Sequence, residues 1–123
     1  MSGDHSVVLR LDPKAMQNPD IDVRWDLEKA VQAAAPELMF SDDGYGFAQH
    51  SDAMLLSYAT NDADRLVTVL VSVLETQMIR GNRLASAAMI AIAPPGEVPP
   101  AGQEFMHHKV VYPPDQSGQA LPD

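Results

Sequence analysis

The stretch from Asp62 to Arg80 constrains the fold more than any other part of the chain. Asn61 reads as a helix N-cap, and Asp64, three residues on, adds negative charge where a helix dipole favours it. Leu66, Val67, Leu70, Val71, Leu74 and Met78 recur at helical spacing, with Arg65, Thr68, Ser72, Glu75 and Thr76 on the opposite side. Gly81-Asn82 supplies a stop signal. Within this stretch, Val67 to Leu74 also alternates and is rich in β-branched residues, which is a strand signature. Length and capping favour the helix, because an unbroken run from Asp62 to Arg80 is long for a strand.

The elements around that helix set the fold class. Val7, Leu9 and Leu11 alternate with Val8 and Arg10, as in a strand. Asp22 can cap a helix from Val23 to about Ala35, with Val23, Leu27, Ala30, Val31 and Ala34 at helical spacing and Pro36 as its stop. Leu38 to Phe40 and Tyr45 to Phe47 are short strand-like pieces around Asp42-Asp43-Gly44, counted as one element. Met54 to Ala59 follows the polar turn Gln49-His50-Ser51-Asp52, and Ala85 to Ala93 reads as a buried strand. The order strand, helix, strand, strand, helix, strand predicts an α+β fold of the ferredoxin-like, split βαβ kind: a four-stranded antiparallel sheet with two helices on one face. Many unrelated functions share that order, so it fixes no activity.

Proline divides the chain. Seven of its ten prolines lie from Pro94 onward. Proline fixes φ and removes a backbone donor, so this part can be neither a helix nor a central strand. The expected organisation is one α+β domain over 5–93 and an extended, partly disordered proline-rich arm over 94–123.

The expected last strand raises a packing problem. Ala87, Ala88, Met89, Ile90, Ala91 and Ile92 are apolar on both sides, yet two helices cover only one face of a sheet. An open apolar face is rarely left wet. The arm carries Phe105, Met106, Val110, Val111 and Tyr112, residues a disordered tail does not need. Strand addition by the segment from Gln103 to Tyr112 would cover such surface, so these five residues are the expected interface of a homodimer.

Charge and composition exclude several functions. Seventeen acidic residues against eight basic ones give a formal charge of −9, which repels phosphate backbones and anionic membranes. Nucleic acid and membrane are therefore not expected partners, whereas a basic protein is compatible. With no cysteine there is no disulfide, thiolate metal site or cysteine nucleophile. The N-terminal residues lack the basic and apolar regions of a signal peptide, and no apolar stretch is long enough to span a bilayer. A cytoplasmic protein is the expectation.

No strong catalytic motif is present. Phosphate-binding glycine loops, Gly-x-Ser-x-Gly, His-Glu-x-x-His and calcium-binding ladders are missing. Gly44-Tyr45-Gly46 lacks the third glycine of a dinucleotide loop and reads as a hairpin or bulge. The densest polar stretch holds Asp43, Tyr45, His50 and Asp52, which could act as acid and base or, without the tyrosine, bind a divalent ion. Turn chemistry explains the same residues more simply. His107 and His108 are further metal candidates, but neighbours on a strand point to opposite faces and cannot chelate one ion together. Trp25 lies on a different side of its helix from Leu27 and Val31, as half-buried packing or the border of a pocket.

The expected function is a small non-catalytic binding or regulatory module, acting as a homodimer, with an inhibitor or immunity-type protein for a basic partner as one form of it. No cofactor is expected. The alternative is a small enzyme with an acid–base or metal site around His50, Asp52, Asp43 and Tyr45.

Overall fold

The computed structural model describes residues 5–17, 22–47, 53–79, 81, 83–93, 109–113 and 118, with side chains at all of these except 42–47 and 93. The fold is α+β. Strands β1 (His5–Leu11), β2 (Phe40–Phe47), β3 (Met54–Thr60), β4 (Ala88–Ala93) and β5 (Lys109–Tyr112) form one antiparallel sheet in the order β2-β3-β1-β4-β5. Helix α1 (Val23–Ala34) joins β1 to β2 and helix α2 (Ala63–Thr76) joins β3 to β4, each crossing one intervening strand.

The first correction is the strand count, five rather than four. The added strand comes from the proline-rich arm. Lys109, Val110 and Tyr112 pair with Ile92, Ala91 and Ile90 of β4, with a register shift between Ile90 and Ala91. Strand addition does occur in this structure, but within one chain. The outer side of β5 is met at one point by the Gly118 N–H, which donates to the Val110 carbonyl at 2.8 Å.

Alternation along the strands explains the two sides of the sheet. Val7, Leu9 and Leu11 of β1, Met54, Leu56 and Tyr58 of β3, and Ile90 of β4 share one core with Val23, Leu27 and Val31 of α1 and Leu66, Leu70 and Leu74 of α2. Each fully buried side chain of this kind contributes about 1.5–3 kcal/mol. The other face carries Val8, Leu55, Ala91 and Val110. It is also dry: Val8, Ala91 and Val110 have no solvent exposure within a single chain.

Four local boundaries differ from expectation. The cap of α2 is Asp62, not Asn61: its Oδ1 accepts from the Arg65 N–H at 3.1 Å, and its carbonyl accepts the Leu66 N–H at 3.0 Å. The helix ends at Thr76, with Gln77 already extended, so Met78 leaves the apolar stripe. The chain returns Ile79 to the core and turns at Gly81 with φ +81°. Asp42-Asp43-Gly44 does not separate two pieces; Asp42 pairs with Tyr58 and Tyr45 with Leu56, so one strand takes up the extra residue as a bulge. Leu84–Ala87 form a 3-10 turn, and the last-strand expectation holds only from Ala88. No helix among the described residues is long and apolar enough to cross a membrane.

Candidate binding surfaces

The backbone of Asp43 and Tyr45 lies at the bulge of β2, an edge strand of the sheet. Their side chains, and His50, Asp52, Phe105, Met106, His107 and His108 altogether, lie outside the described residues. The strand ends beside these candidates are nevertheless placed. Phe47 and Met54, which flank the stretch with His50 and Asp52, pair at the end of the sheet where β1 finishes with Leu11. Lys109, which follows His108, pairs with Ile92 near the other end, on the far edge. Among the described residues no group of three or more histidine or acidic side chains could hold a metal ion.

Of the expected interface residues, Val110 is fully buried within the chain, and Val111 and Tyr112 pack partly against the main core. The Tyr112 hydroxyl donates to Glu75 Oε2 at 3.2 Å and so ties β5 to α2. Burial raises the Tyr112 pKa above the ordinary tyrosine value, and the hydrogen bond and negative charge of Glu75 push it the same way.

The exposed side of the helical layer has its own character. Trp25 in the first turns of α1 is 48 % exposed, and the Arg24 guanidinium carbon lies 4.1 Å from its ring centroid. Stacking of this kind is an attraction between cation and ring quadrupole. Trp25, Lys29 and Gln32 stand exposed at positions i, i+4 and i+7. Asp22, Glu37, Asp62, Asp64 and Glu75 add exposed carboxylates on or beside the two helices, and Arg65 pairs with Glu37. Met39 and Met78 are exposed apolar residues, at 71 % and 54 %.

The opposite face of the sheet holds a cation. Arg10 projects from β1, the central strand, level with Leu55 on β3 and Met89 on β4. Its Nε is sealed from solvent and has no hydrogen-bond partner. The sequence signal for it was a charge inside an otherwise apolar strand, Val7-Val8-Leu9-Arg10-Leu11, which first reads only as an interruption of the run.

Comparison with protein-family models, with curated proteins and with solved structures finds no match for this chain.

Proposed function

We propose that this chain is a non-catalytic binding or regulatory module that takes a basic protein partner on its helical layer. The observation that carries this reading is Trp25, half-exposed with Arg24 stacked on it. Tryptophan and arginine are the residue types that dominate the energetics of protein interfaces. The exposed carboxylates on and beside the two helices and the −9 charge of the chain suit a positively charged partner by steering its approach. The scaffold in this reading is a ferredoxin-like split βαβ unit with β5 added; the order β2-β3-β1-β4 and the two one-strand crossovers support it.

A homodimer is the second form of the same reading, supported by the exposed Met39 and Met78. The doubly apolar last strand lends it less support, since β5 pairs in cis and Val8, Ala91 and Val110 are buried without a second copy.

The test uses the full chain as bait for proteins of its own source, beside a Trp25→Ala bait. A basic protein retained by the first bait, lost from the second and released by salt is the expected result. Identical retention on both baits, or retention of acidic proteins alone, overturns the reading. Trp25 is the chain's single tryptophan, so its fluorescence then reports binding directly. A change in emission with protein concentration alone, together with a dimer mass by light scattering, selects the homodimer.

A further inference from the structure

We propose that the outer edge of β2 is a docking site for an extended, basic segment of a partner protein, which joins the sheet there as a sixth strand. The proposal shares with the reading above only the acidity of the chain; Trp25 and the helical layer take no part in it.

The two edges of the sheet are built differently. β5, at one edge, has four residues, includes Lys109 and is followed in sequence by Pro113-Pro114. On its outer side the Gly118 N–H occupies the Val110 carbonyl. Shortness, lysine, proline and a covering contact are the ordinary protections of a sheet edge. β2, at the other edge, is the longest of the five strands at eight residues and contains neither lysine nor proline. No described strand pairs with its outer side. The bulge between Asp42 and Tyr45 leaves 40–42 and 45–47 in regular register with β3.

This edge is also held ready. The Thr60 hydroxyl donates to the Met39 carbonyl at 2.8 Å, and the Phe40 ring meets Tyr58 edge-on at 5.9 Å between centroids. An edge fixed in advance costs little further ordering when a strand arrives. Met39 and Ser41 are exposed, so the approach is open at that end.

Charge selects the occupant. β2 carries Asp42 and Asp43 and no basic residue, in a chain of charge −9. Pairing β2 with a second copy of itself would bring four carboxylates into one short ladder, where like charges are unfavourable. A basic segment meets the opposite sign, and main-chain hydrogen bonds supply affinity to it. Exposed Met39 adds an apolar neighbour. The partner class is thus an extended segment in which basic and apolar residues alternate.

The probes are three hexapeptides titrated into the full-length protein and followed by the NMR resonances of its amides. One alternates lysine and valine, one alternates glutamate and valine, and the third is the lysine–valine peptide N-methylated at every amide, which keeps the charge and removes the donors. The first should bind saturably and at least about tenfold more tightly than either other, the ratio that two or three lost main-chain hydrogen bonds carry. Its shifts should centre on 40–47, whose outward amides should gain exchange protection. Trp25→Ala should bind it unchanged, even if the same variant loses a basic protein captured on the helical layer. Asp42→Lys combined with Asp43→Lys should turn the preference toward the glutamate–valine peptide. Absence of saturable binding, or equal affinity for the N-methylated peptide, overturns the proposal on the unmutated protein. So do shifts centred on the helical layer and lost in Trp25→Ala.

Discussion

Replacing Thr60 with valine probes how the two halves of the fold are joined. Thr60 is 1 % exposed, a polar residue within an otherwise apolar core. Its hydroxyl donates to the Met39 carbonyl at 2.8 Å and accepts from the Asp62 N–H at 3.1 Å. One oxygen thus connects the entry to β2, the end of β3 and the cap of α2. Valine keeps the β-branch and nearly the same shape, so strand preference and packing change little. What is lost is two hydrogen bonds, each worth about 0.5–1.5 kcal/mol net, or about 1–3 kcal/mol together. Both bonds are part-buried rather than fully enclosed, which holds the loss within that range. Urea denaturation should give a lower midpoint at an unchanged slope. Amide exchange should quicken first at Arg65 and Leu66, whose N–H groups bond to Asp62. A loss below about 0.5 kcal/mol, less than one typical hydrogen bond, would refute the linking role of the hydroxyl.

Two further outcomes follow from burial and charge. Leu70 is 1 % exposed, so Leu70→Asp buries an unpaired carboxylate at several kcal/mol, comparable to the ~5–15 kcal/mol stability of a domain, and the protein should unfold. Thr68 is exposed, so Thr68→Asp should stay within roughly 0.5 kcal/mol, and equal thermal shifts for the two variants would show that the facing of α2 is wrong. The raised pKa of Tyr112 favours its neutral form in the folded state, so its contribution is complete below the ordinary tyrosine pKa of about 10 and is lost as pH rises through the folded value. Tyr112→Phe should therefore flatten the alkaline fall of the melting temperature, and parallel curves for the two proteins would exclude the Tyr112–Glu75 contact as its source.

How far the fold could be read from the sequence depended on whether local and long-range signals agreed. They agreed on the helical periodicity of α1, and in α2 the length of the run outweighed the strand-like alternation of Val67 to Leu74. At the start of α2, Asn61 and Asp62 are both good capping residues; Asp62 takes the cap, with its N–H donating to the buried Thr60 hydroxyl and its Oδ1 accepting from the Arg65 N–H. They disagreed in β2, where Asp42-Asp43-Gly44 carries turn chemistry but the ladder runs on from Phe40 opposite Thr60 to Phe47 opposite Met54. Pairing with β3 outweighs the local preference and leaves only a bulge. Met78 kept the helical spacing on paper, yet the helix had ended at Thr76, beyond which spacing carries no meaning. The apolar content of Val110-Val111-Tyr112 marked a strand, but no local rule says whether a strand joins its own sheet or another chain's. Arg10 and Arg24 were legible as charges, while the dry Nε of the one and the stacking of the other depend on neighbours brought in by the fold.

The central position of β1 has a consequence for the order in which the protein is made. Its pairing partners are encoded far downstream: His5 pairs with Thr60, and Ser6 with Ala93, 87 residues after it (93 − 6). At about 5–20 residues per second a ribosome needs roughly 4–17 s to cover that distance. Until β3 emerges, Val7, Val8, Leu9 and Leu11 belong to a strand with both ladders open, and until β4 follows one ladder stays open, the kind of segment that invites pairing between nascent chains. Synthesis thus exposes the middle of the sheet first and supplies its two flanks last. Chaperone occupancy on translating ribosomes should be highest before β3 emerges and should fall again only when β4 closes the second side.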